Sequence, residues 1–120
     1  MKLSFSTNAF VRYSLCEAIE LIGASGYRGV ELLADTPHLF ADKVTPADLE
    51  DVAQTLARTG LEVENINSNT AVGYYGREFW EPLFEPSLAH PDPVLRQWRI
   101  EYTKKCVDFA HFLGCPCVSV

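Results

Sequence analysis

The stretch that most constrains the fold of this chain is residues 26–35, where a helical pattern stops at a glycine and a short apolar strand pattern begins. Val30, Leu32 and Ala34 share one face of the predicted strand, and Glu31 lies on the other. Strands of parallel sheets are usually covered on both faces, and an isolated buried charge is costly. We therefore expect Glu31 either to pair with a Lys or Arg from a neighbouring strand or to orient a substrate group.

Strands and helices alternate along the remainder of the chain. The patterns predict strands over 2–6, 29–34, 61–67 and 117–120, and helices over 15–25, 46–59 and 93–113. The alternation in 61–67 is mixed, so its buried face stays undecided. The expected core positions of the helices are Leu15, Ala18, Ile19 and Ile22, then Leu49, Val52, Ala53 and Leu56, then Cys106, Phe109, Ala110 and Leu113.

This order predicts an α/β fold with parallel β/α units and right-handed crossovers, in one domain over residues 1–120. Two closures are compatible with it, a small open sheet and the N-terminal half of a TIM (β/α)8 barrel. The sequence ends within an apolar strand that no helix covers, which would leave an unprotected edge in an open sheet. We therefore expect the half-barrel.

The segment 68–91 follows neither a helical nor a strand period, although it is rich in aromatic residues. A structureless connection of that length is uncommon in a compact domain and is usually functional or disordered, and the aromatic content argues against disorder. Tyr74 and Trp80 are the side chains that we expect to stack on a sugar ring. The alternative is that the aromatic residues pack the loop onto the domain.

The composition of the chain argues against several classes of partner and ligand. A net charge of −6 and a pI near 4.9 argue against a nucleic-acid partner. The sequence has no run of about 18 apolar residues, so we expect no membrane partner and a cytoplasmic location. The four cysteines are expected to be reduced, small buried residues. Cys115 and Cys117 flank a proline, but their spacing does not match a zinc site, so no metal ligand is assigned within this segment.

In barrels of this type the active site lies at the C-terminal ends of the strands. That rule, with the loop aromatics, selects the substrate-binding candidates Asn8, Phe10, Glu31, His38, Asn67, Asn69, Tyr74 and Trp80. The amides near the end of the third strand can hydrogen-bond a polyol without adding charge, or they can simply form a turn. His90 and His111 are expected to be structural. No phosphate loop, nucleophile elbow or histidine pair is present, so the catalytic residues stay unassigned.

Three segments of the sequence resemble a known family, and all three belong to strands and helices of the framework. They are Gly26 to Leu33, then Gly60, Leu61 and Val63, then Tyr102 to Val120. Together they resemble the xylose-isomerase-like barrels, which include sugar phosphate isomerases and epimerases and are related to endonuclease IV. The resemblance covers essentially all 120 residues as the N-terminal half of such a barrel.

The resemblance implies metal-assisted proton transfer on a small sugar or polyol. A divalent ion (Mn²⁺, Mg²⁺ or Zn²⁺) would be held by strands 5 to 8, outside this segment, so that the segment alone is inactive. The first half of such a barrel shapes the substrate pocket, which places Asn8, Phe10, Asn67 and Asn69 there.

Two alternatives remain open. The first is a non-catalytic half-barrel that binds a second chain, for instance a homo-oligomer that buries Val118 and Val120 at a shared sheet edge. The second is a DNA-repair enzyme like endonuclease IV. That branch uses a histidine at the end of the third strand, where this sequence has Asn67, Ser68 and Asn69, which disfavours DNA repair.

Overall fold

A computed structural model describes residues 2–76 and 84–120 of the chain. The elements in chain order are β1 (Ser4–Ser6), a 3-10 turn (Thr7–Phe10), α1 (Leu15–Ala24), β2 (Gly29–Leu33), α2 (Pro46–Thr59), β3 (Glu62–Asn67), α3 (Val72–Tyr75), α4 (Pro93–Leu113) and β4 (Val118–Ser119). The four strands form one sheet in the order β1-β2-β3-β4, and each neighbouring pair is parallel. The predicted parallel α/β architecture is confirmed.

Local side-chain contacts fix where α1 and α2 begin. At the start of α1, Ser14 Oγ accepts a hydrogen bond from the backbone N–H of Glu17, and the Glu17 carboxylate accepts one from the Ser14 N–H. Thr45 and Asp48 repeat this capping box at the start of α2. Each box satisfies donors that a helix start otherwise leaves unpaired. Gly60 ends α2 with a left-handed backbone (φ 68°), which glycine adopts without steric cost.

The core lies between the helices and one face of the sheet. Val30, Leu32 and Ala34 are fully buried on that face, and all four predicted positions of α1 are buried beneath it. In α2 the buried residues are Val52, Thr55 and Leu56, whereas Leu49 and Ala53 are only half-buried.

The predicted core face of α4 was partly wrong. The buried residues of this helix are Arg99, Tyr102, Cys106 and Ala110, spaced by three and four positions. Phe109 and Leu113 are half-buried and pack against the core from the flank of that stripe. The error arose because the buried stripe begins with a charged residue, which a hydrophobic pattern does not include.

A bulge in β3 explains its mixed alternation. Val63 pairs with Val30, and the next pairs along are Asn65 with Glu31 and Ile66 with Leu32, so that Glu64 is the extra residue. The bulge turns both Val63 and Ile66 toward the helices, where both are buried. It also places Asn65 level with Glu31, and both side chains lie on the sheet face opposite the helices.

The connection after β3 contains a helical turn that the sequence did not predict. Residues 72–75 form α3, within the segment where we expected neither helix nor strand. Four residues are too few to show a helical period, so the prediction was wrong at this place for a physical reason. Trp80, one of the two predicted stacking residues, lies outside the described residues. Within 2–76 and 84–120, no helix combines the length and apolarity of a membrane span.

Candidate functional site

Polar side chains from all four strands meet on the sheet face opposite the helices. Glu31 accepts hydrogen bonds from Ser6 Oγ (2.7 Å) and from Asn65 Nδ2 (2.8 Å), and Asn65 Nδ2 also donates to Ser119 Oγ (2.9 Å). We refer to Ser6, Glu31, Asn65 and Ser119 as the inner polar row. None of the ion pairs among the described residues includes Glu31, so the alternative of a cationic partner is not seen there. Hydroxyl and amide donors satisfy this carboxylate instead.

The two asparagines at the end of β3 have fixed amide orientations. Asn67 Oδ1 accepts from the backbone N–H of Asn69 (3.1 Å), and Asn69 Oδ1 accepts from Arg99 Nη2 (3.4 Å). Both neighbours are donors only, so each amide must turn its oxygen toward them. The Nδ2 groups of Asn67 and Asn69 therefore face other directions, and none of the described residues accepts from them. The carboxyl end of β3 presents amide donors.

Asn65 has the opposite arrangement. Its Nδ2 is engaged by Glu31 and Ser119, while its Oδ1 is buried and has no partner among the described residues. A buried acceptor without a donor is costly unless a ligand or water donates to it. The inner face of the sheet therefore has a hydrogen-bond acceptor, Asn65 Oδ1, level with the inner polar row. The amide donors of Asn67 and Asn69 lie at the carboxyl end of β3.

Asn8 and Phe10 follow β1 but differ in their surroundings. Asn8 is exposed, and its backbone N–H donates to Ser6 Oγ (3.3 Å). The ring of Phe10 packs edge-on against Phe5 and Tyr13, with ring centroids 6.0 Å apart in both pairs. Phe5 is level with Val30 on the helix side of the sheet. The structure therefore brings Asn8, but not the ring of Phe10, near the inner polar row, and the substrate contact of both stays a prediction.

His38 lies in a separate groove. Its Nε2 is 3.3 Å from the carbonyl oxygen of Tyr13, and its buried Nδ1 has no partner among the described residues. Burial lowers the pKa of His38, which favours the neutral ring. The groove, of about 490 Å³, lies between the starts of α1 and α2 and is also lined by Cys16 and Lys43. No residue of the inner polar row lines this groove.

Asp35 lies two residues beyond the end of β2 and was not selected from the sequence. It is 6% exposed. Its carboxylate accepts hydrogen bonds from Thr36 N (2.8 Å), Thr70 Oγ1 (2.7 Å), Ala71 N (3.1 Å), Val72 N (3.2 Å) and Gly73 N (2.6 Å). These contacts join the carboxyl end of β2 to the chain that follows β3, and they provide acceptors for the start of α3. An acidic residue immediately after an apolar strand was the signal that could have identified it.

One described aromatic residue of the long connection, Tyr74, packs against α4. Tyr74 lies on Trp98, with ring centroids 4.2 Å apart, and Trp98 stacks on Tyr102 at 4.9 Å. The Tyr102 hydroxyl donates to the carbonyl of Ala34 and accepts from the N–H of Ala41, and burial raises its pKa. These contacts favour the packing role of Tyr74. Its predicted contact with a sugar stays a prediction.

Arg99 is the second functional candidate that the sequence did not reveal. It is 1% exposed, and its guanidinium donates to the carbonyl oxygen of Ser68 (2.6 Å), to Ser68 Oγ (3.3 Å) and to Asn69 Oδ1. Arg99 thereby holds the turn after β3 and sets the orientation of the Asn69 amide. Burial lowers its pKa, although guanidinium remains charged at neutral pH.

The described residues do not fit a metal centre. Within 2–76 and 84–120, no three His, Cys, Asp or Glu side chains are placed to hold an ion. The four cysteines are free thiols. Cys106 is buried as expected, whereas Cys117 is exposed, which corrects the prediction for that residue. His90 accepts from the N–H of Asp92 at the entry to α4 (3.1 Å).

Comparison with known proteins identifies the family. No curated protein matches the chain. A sequence model described as the xylose isomerase-like TIM barrel matches residues 19–120. The match begins within α1 and extends through β4, and the parallel sheet with its strands in sequential order is that of a partial barrel. The chain therefore belongs to the xylose isomerase-like TIM barrel family.

Proposed function

We propose that this chain forms the substrate-binding first half of an enzyme that isomerises or epimerises a small sugar or polyol by moving a proton on carbon. The observation that carries the proposal is the inner polar row. Barrel interiors are commonly filled by bulky Val, Ile and Leu side chains. Here Ser6, Glu31, Asn65 and Ser119 occupy the inner face, and hydroxyl, amide and carboxylate groups are suited to a polyhydroxylated ligand.

The roles proposed for the side chains rest on their positions relative to the strand ends. Asn67 and Asn69 donate hydrogen bonds to substrate oxygens at the carboxyl end of β3, and Asn8 does so at the end of β1. Glu31 acts as a positioning residue, because its two oxygens hold Ser6 and Asn65 in place. The buried Asn65 Oδ1 is the acceptor for a substrate hydroxyl.

Catalysis itself is assigned to residues outside this segment. In the proposal, residues of the second half would hold a divalent ion, Mn²⁺, Mg²⁺ or Zn²⁺, which would supply Lewis acidity to the substrate oxygens. Within the described residues, no group of three His, Cys, Asp or Glu side chains is placed to hold such an ion. Residues 1–120 alone are expected to be inactive. A cytoplasmic location belongs to the same proposal, since it suits four free thiols.

The test is exchange of carbon-bound hydrogen. The full-length protein, supplied with Mn²⁺ or Mg²⁺ in D₂O, is incubated with a panel of aldoses and ketoses, and deuterium incorporation is followed by NMR. Asn67→Ala should raise KM by about tenfold or more, because one donor to the substrate is lost. Gln54→Ala, on the exposed face of α2, is the matched control and should leave KM unchanged. Absence of exchange with every sugar would refute the proposal.

An assembly module is a second candidate, favoured by the two sheet edges. β1 and β4 each have a neighbour on one side only among the described residues, and Leu3 and Val120 beside them are 60% and 59% exposed. A further strand, from the same chain or from a second one, can pair with an exposed edge of this kind. Native mass spectrometry distinguishes a barrel made by one chain from a barrel assembled from two. A monomer of at least twice 13.4 kDa supports the single-chain barrel, and a dimer of 13.4 kDa chains supports assembly.

DNA repair is the weaker alternative within the same family. A net charge of −6 disfavours binding to phosphate backbones, and the end of β3 has asparagines in place of histidine. Salt-sensitive binding to duplex DNA would overturn this judgement.

A further inference from the structure

Two cysteines lie on either side of a proline at the amino end of β4. Cys115 and Cys117 flank Pro116, and both are free thiols, Cys115 half-buried and Cys117 exposed. They follow Gly114, which ends α4 with a left-handed backbone, and they precede β4. Neither thiol has a part in the proposed function, because β4 contributes only Ser119 to the inner polar row.

The backbone keeps the two cysteines close together. In a fully extended chain the Cα atoms of residues i and i+2 are about 7 Å apart, and a disulfide spans Cα separations of roughly 4.4–6.8 Å. The chain bends at Pro116, so the pair does not have the fully extended spacing. Proline holds its own φ near about −65°, which presets this bend. The bend therefore brings Cys115 and Cys117 toward the separation that a disulfide bridges.

The Cys115 side chain is directed at residue 117. Its Sγ donates a hydrogen bond to the carbonyl oxygen of Cys117, with 3.1 Å between sulfur and oxygen. A thiol is a weak donor, so little is lost when the sulfur leaves this contact. Gly114 and Pro116 line a cavity of about 390 Å³, which gives the segment room to adjust. Rotation of the exposed Cys117 side chain is then the main movement that joins the two sulfurs.

The two thiols differ in their access to reagents. Cys117 is exposed, so a reagent in solution reaches it first. Burial raises the pKa of the Cys115 thiol, and the nearby Glu64 carboxylate acts in the same direction. Because the thiolate is the nucleophile, Cys115 reacts second, and its step should become faster as the pH rises.

We propose that Cys115 and Cys117 form a reversible dithiol–disulfide pair, oxidised by a low-molecular-weight disulfide such as glutathione disulfide. The Cys117 thiolate first attacks one sulfur of glutathione disulfide, which forms a mixed disulfide and releases one glutathione thiolate. The Cys115 thiolate then attacks the Cys117 sulfur, which closes the protein disulfide and releases the second glutathione. The two glutathione thiolates take up the two protons that the cysteines lose. The protein is oxidised by two electrons, and one glutathione disulfide is reduced to two glutathione molecules.

The proposal does not depend on the substrate of the enzyme. A disulfide at an exposed position belongs to the labile, reducible class and not to the structural class. The pair would therefore respond to the ratio of thiol to disulfide in its surroundings.

The test identifies the product of oxidation. The full-length protein is incubated with glutathione disulfide, unfolded in mild acid, treated with N-ethylmaleimide and digested with trypsin for tandem mass spectrometry. Cleavage after Lys105 gives a peptide that contains Cys106, Cys115 and Cys117. In the wild type we expect maleimide on Cys106 alone and the loss of two hydrogens between Cys115 and Cys117. Dithiothreitol should restore both thiols.

Three variants complete the test. Cys115→Ser keeps a donor for the Cys117 carbonyl but removes the second thiol, so it should carry at least about tenfold more glutathione on Cys117 than the wild type does. Cys117→Ser leaves only the half-buried thiol and should react at least about tenfold more slowly. Cys16→Ser, in α1, is the matched control and should close the disulfide as the wild type does.

Three results would overturn the proposal. The wild type could keep both thiols reduced, it could retain glutathione on Cys117 to the same extent as C115S, or it could join the Cys117 residues of two molecules. Hydrogen exchange on sugars is measured separately, so none of these results bears on the proposed function.

Discussion

Replacement of Asp35 by asparagine tests the contact that ties β2 to the chain after β3. Asparagine has nearly the same shape but only one acceptor oxygen. In the native carboxylate, Oδ1 accepts from Thr36, Thr70 and Gly73, and Oδ2 accepts from the backbone N–H groups of Ala71 and Val72. The amide should keep its oxygen where three donors meet. The NH₂ group would then face two backbone N–H groups that have lost their acceptor.

The expected loss follows from these two donors. A buried donor without a partner costs about 1–3 kcal/mol, so that D35N should lower the free energy of unfolding by about 2–6 kcal/mol. Part of the loss will appear as local opening, because α3 has only four residues and can detach without unfolding the core.

Two measurements report the two effects. Equilibrium urea unfolding gives the global loss, and amide hydrogen exchange followed by NMR gives the local one. Protection of the amides at 71–73 should fall, whereas amides of β2 and β3 should keep theirs unless the whole domain is destabilised. Asp42→Asn is the matched control. Asp42 is exposed and contacts Lys105 (2.6 Å) and Trp98 (3.1 Å), so its loss should cost less than about 1 kcal/mol.

The reasoning would be refuted by a D35N protein that unfolds within about 0.5 kcal/mol of the wild type, which is the range of an ordinary surface substitution. Unchanged protection at 71–73 would refute it equally.

Three further predictions concern buried groups. Tyr102→Phe removes a hydroxyl that serves two backbone groups and should lower the free energy of unfolding by about 1–3 kcal/mol in urea. Burial lowers the pKa of His38, so as the pH falls the unfolded chain binds a proton at His38 before the folded chain does. The free energy of unfolding should therefore fall as the pH drops below about 6.5, and it should fall less steeply in H38N. The exposed His111 supplies the control variant, H111N. Burial raises the pKa of Cys106 to about 12, so a thiol reagent should modify Cys117 rapidly and Cys106 only on unfolding.

For each of these three predictions, one experimental result would contradict the reasoning. Equal stability of Y102F and the wild type would mean that water replaces the hydroxyl. The same pH slope in H38N and the wild type would remove His38 as the cause. Rapid modification of Cys106 in the native protein, judged against a C117S variant, would show that the core opens.

The sequence predicted the elements whose signals are local. Ser14 and Thr45 mark helix starts through side chains three residues away, and Val30 and Leu32 mark a strand through simple alternation. These contacts form within one element, so a sequence pattern contains them.

The parts that were missed depend on contacts distant in sequence. α3 begins where Asp35, more than 30 residues earlier, supplies acceptors, and no local pattern reveals that. Arg99 is buried because the turn after β3 presents a carbonyl and an amide oxygen to it. A charged residue on a helix is usually exposed, so its burial follows only from the assembled structure. The buried face of β3 was undecidable because its bulge changes the alternation midway.

Because of the bulge, β3 can lose one residue, Glu64, and keep its later side chains on the same faces of the sheet. Deleting a residue from a central strand normally moves every later side chain to the wrong face. Loss of Glu64 would instead leave Val63, Asn65, Ile66 and Asn67 in strict alternation, with Val63 and Ile66 still toward the helices and both amides still inward. The expected cost is the loss of the ion pair of Glu64 with Lys2 at the surface. Relatives with or without this extra residue can therefore keep the same wall of the barrel, and an alignment gap here would mark a change in strand geometry alone.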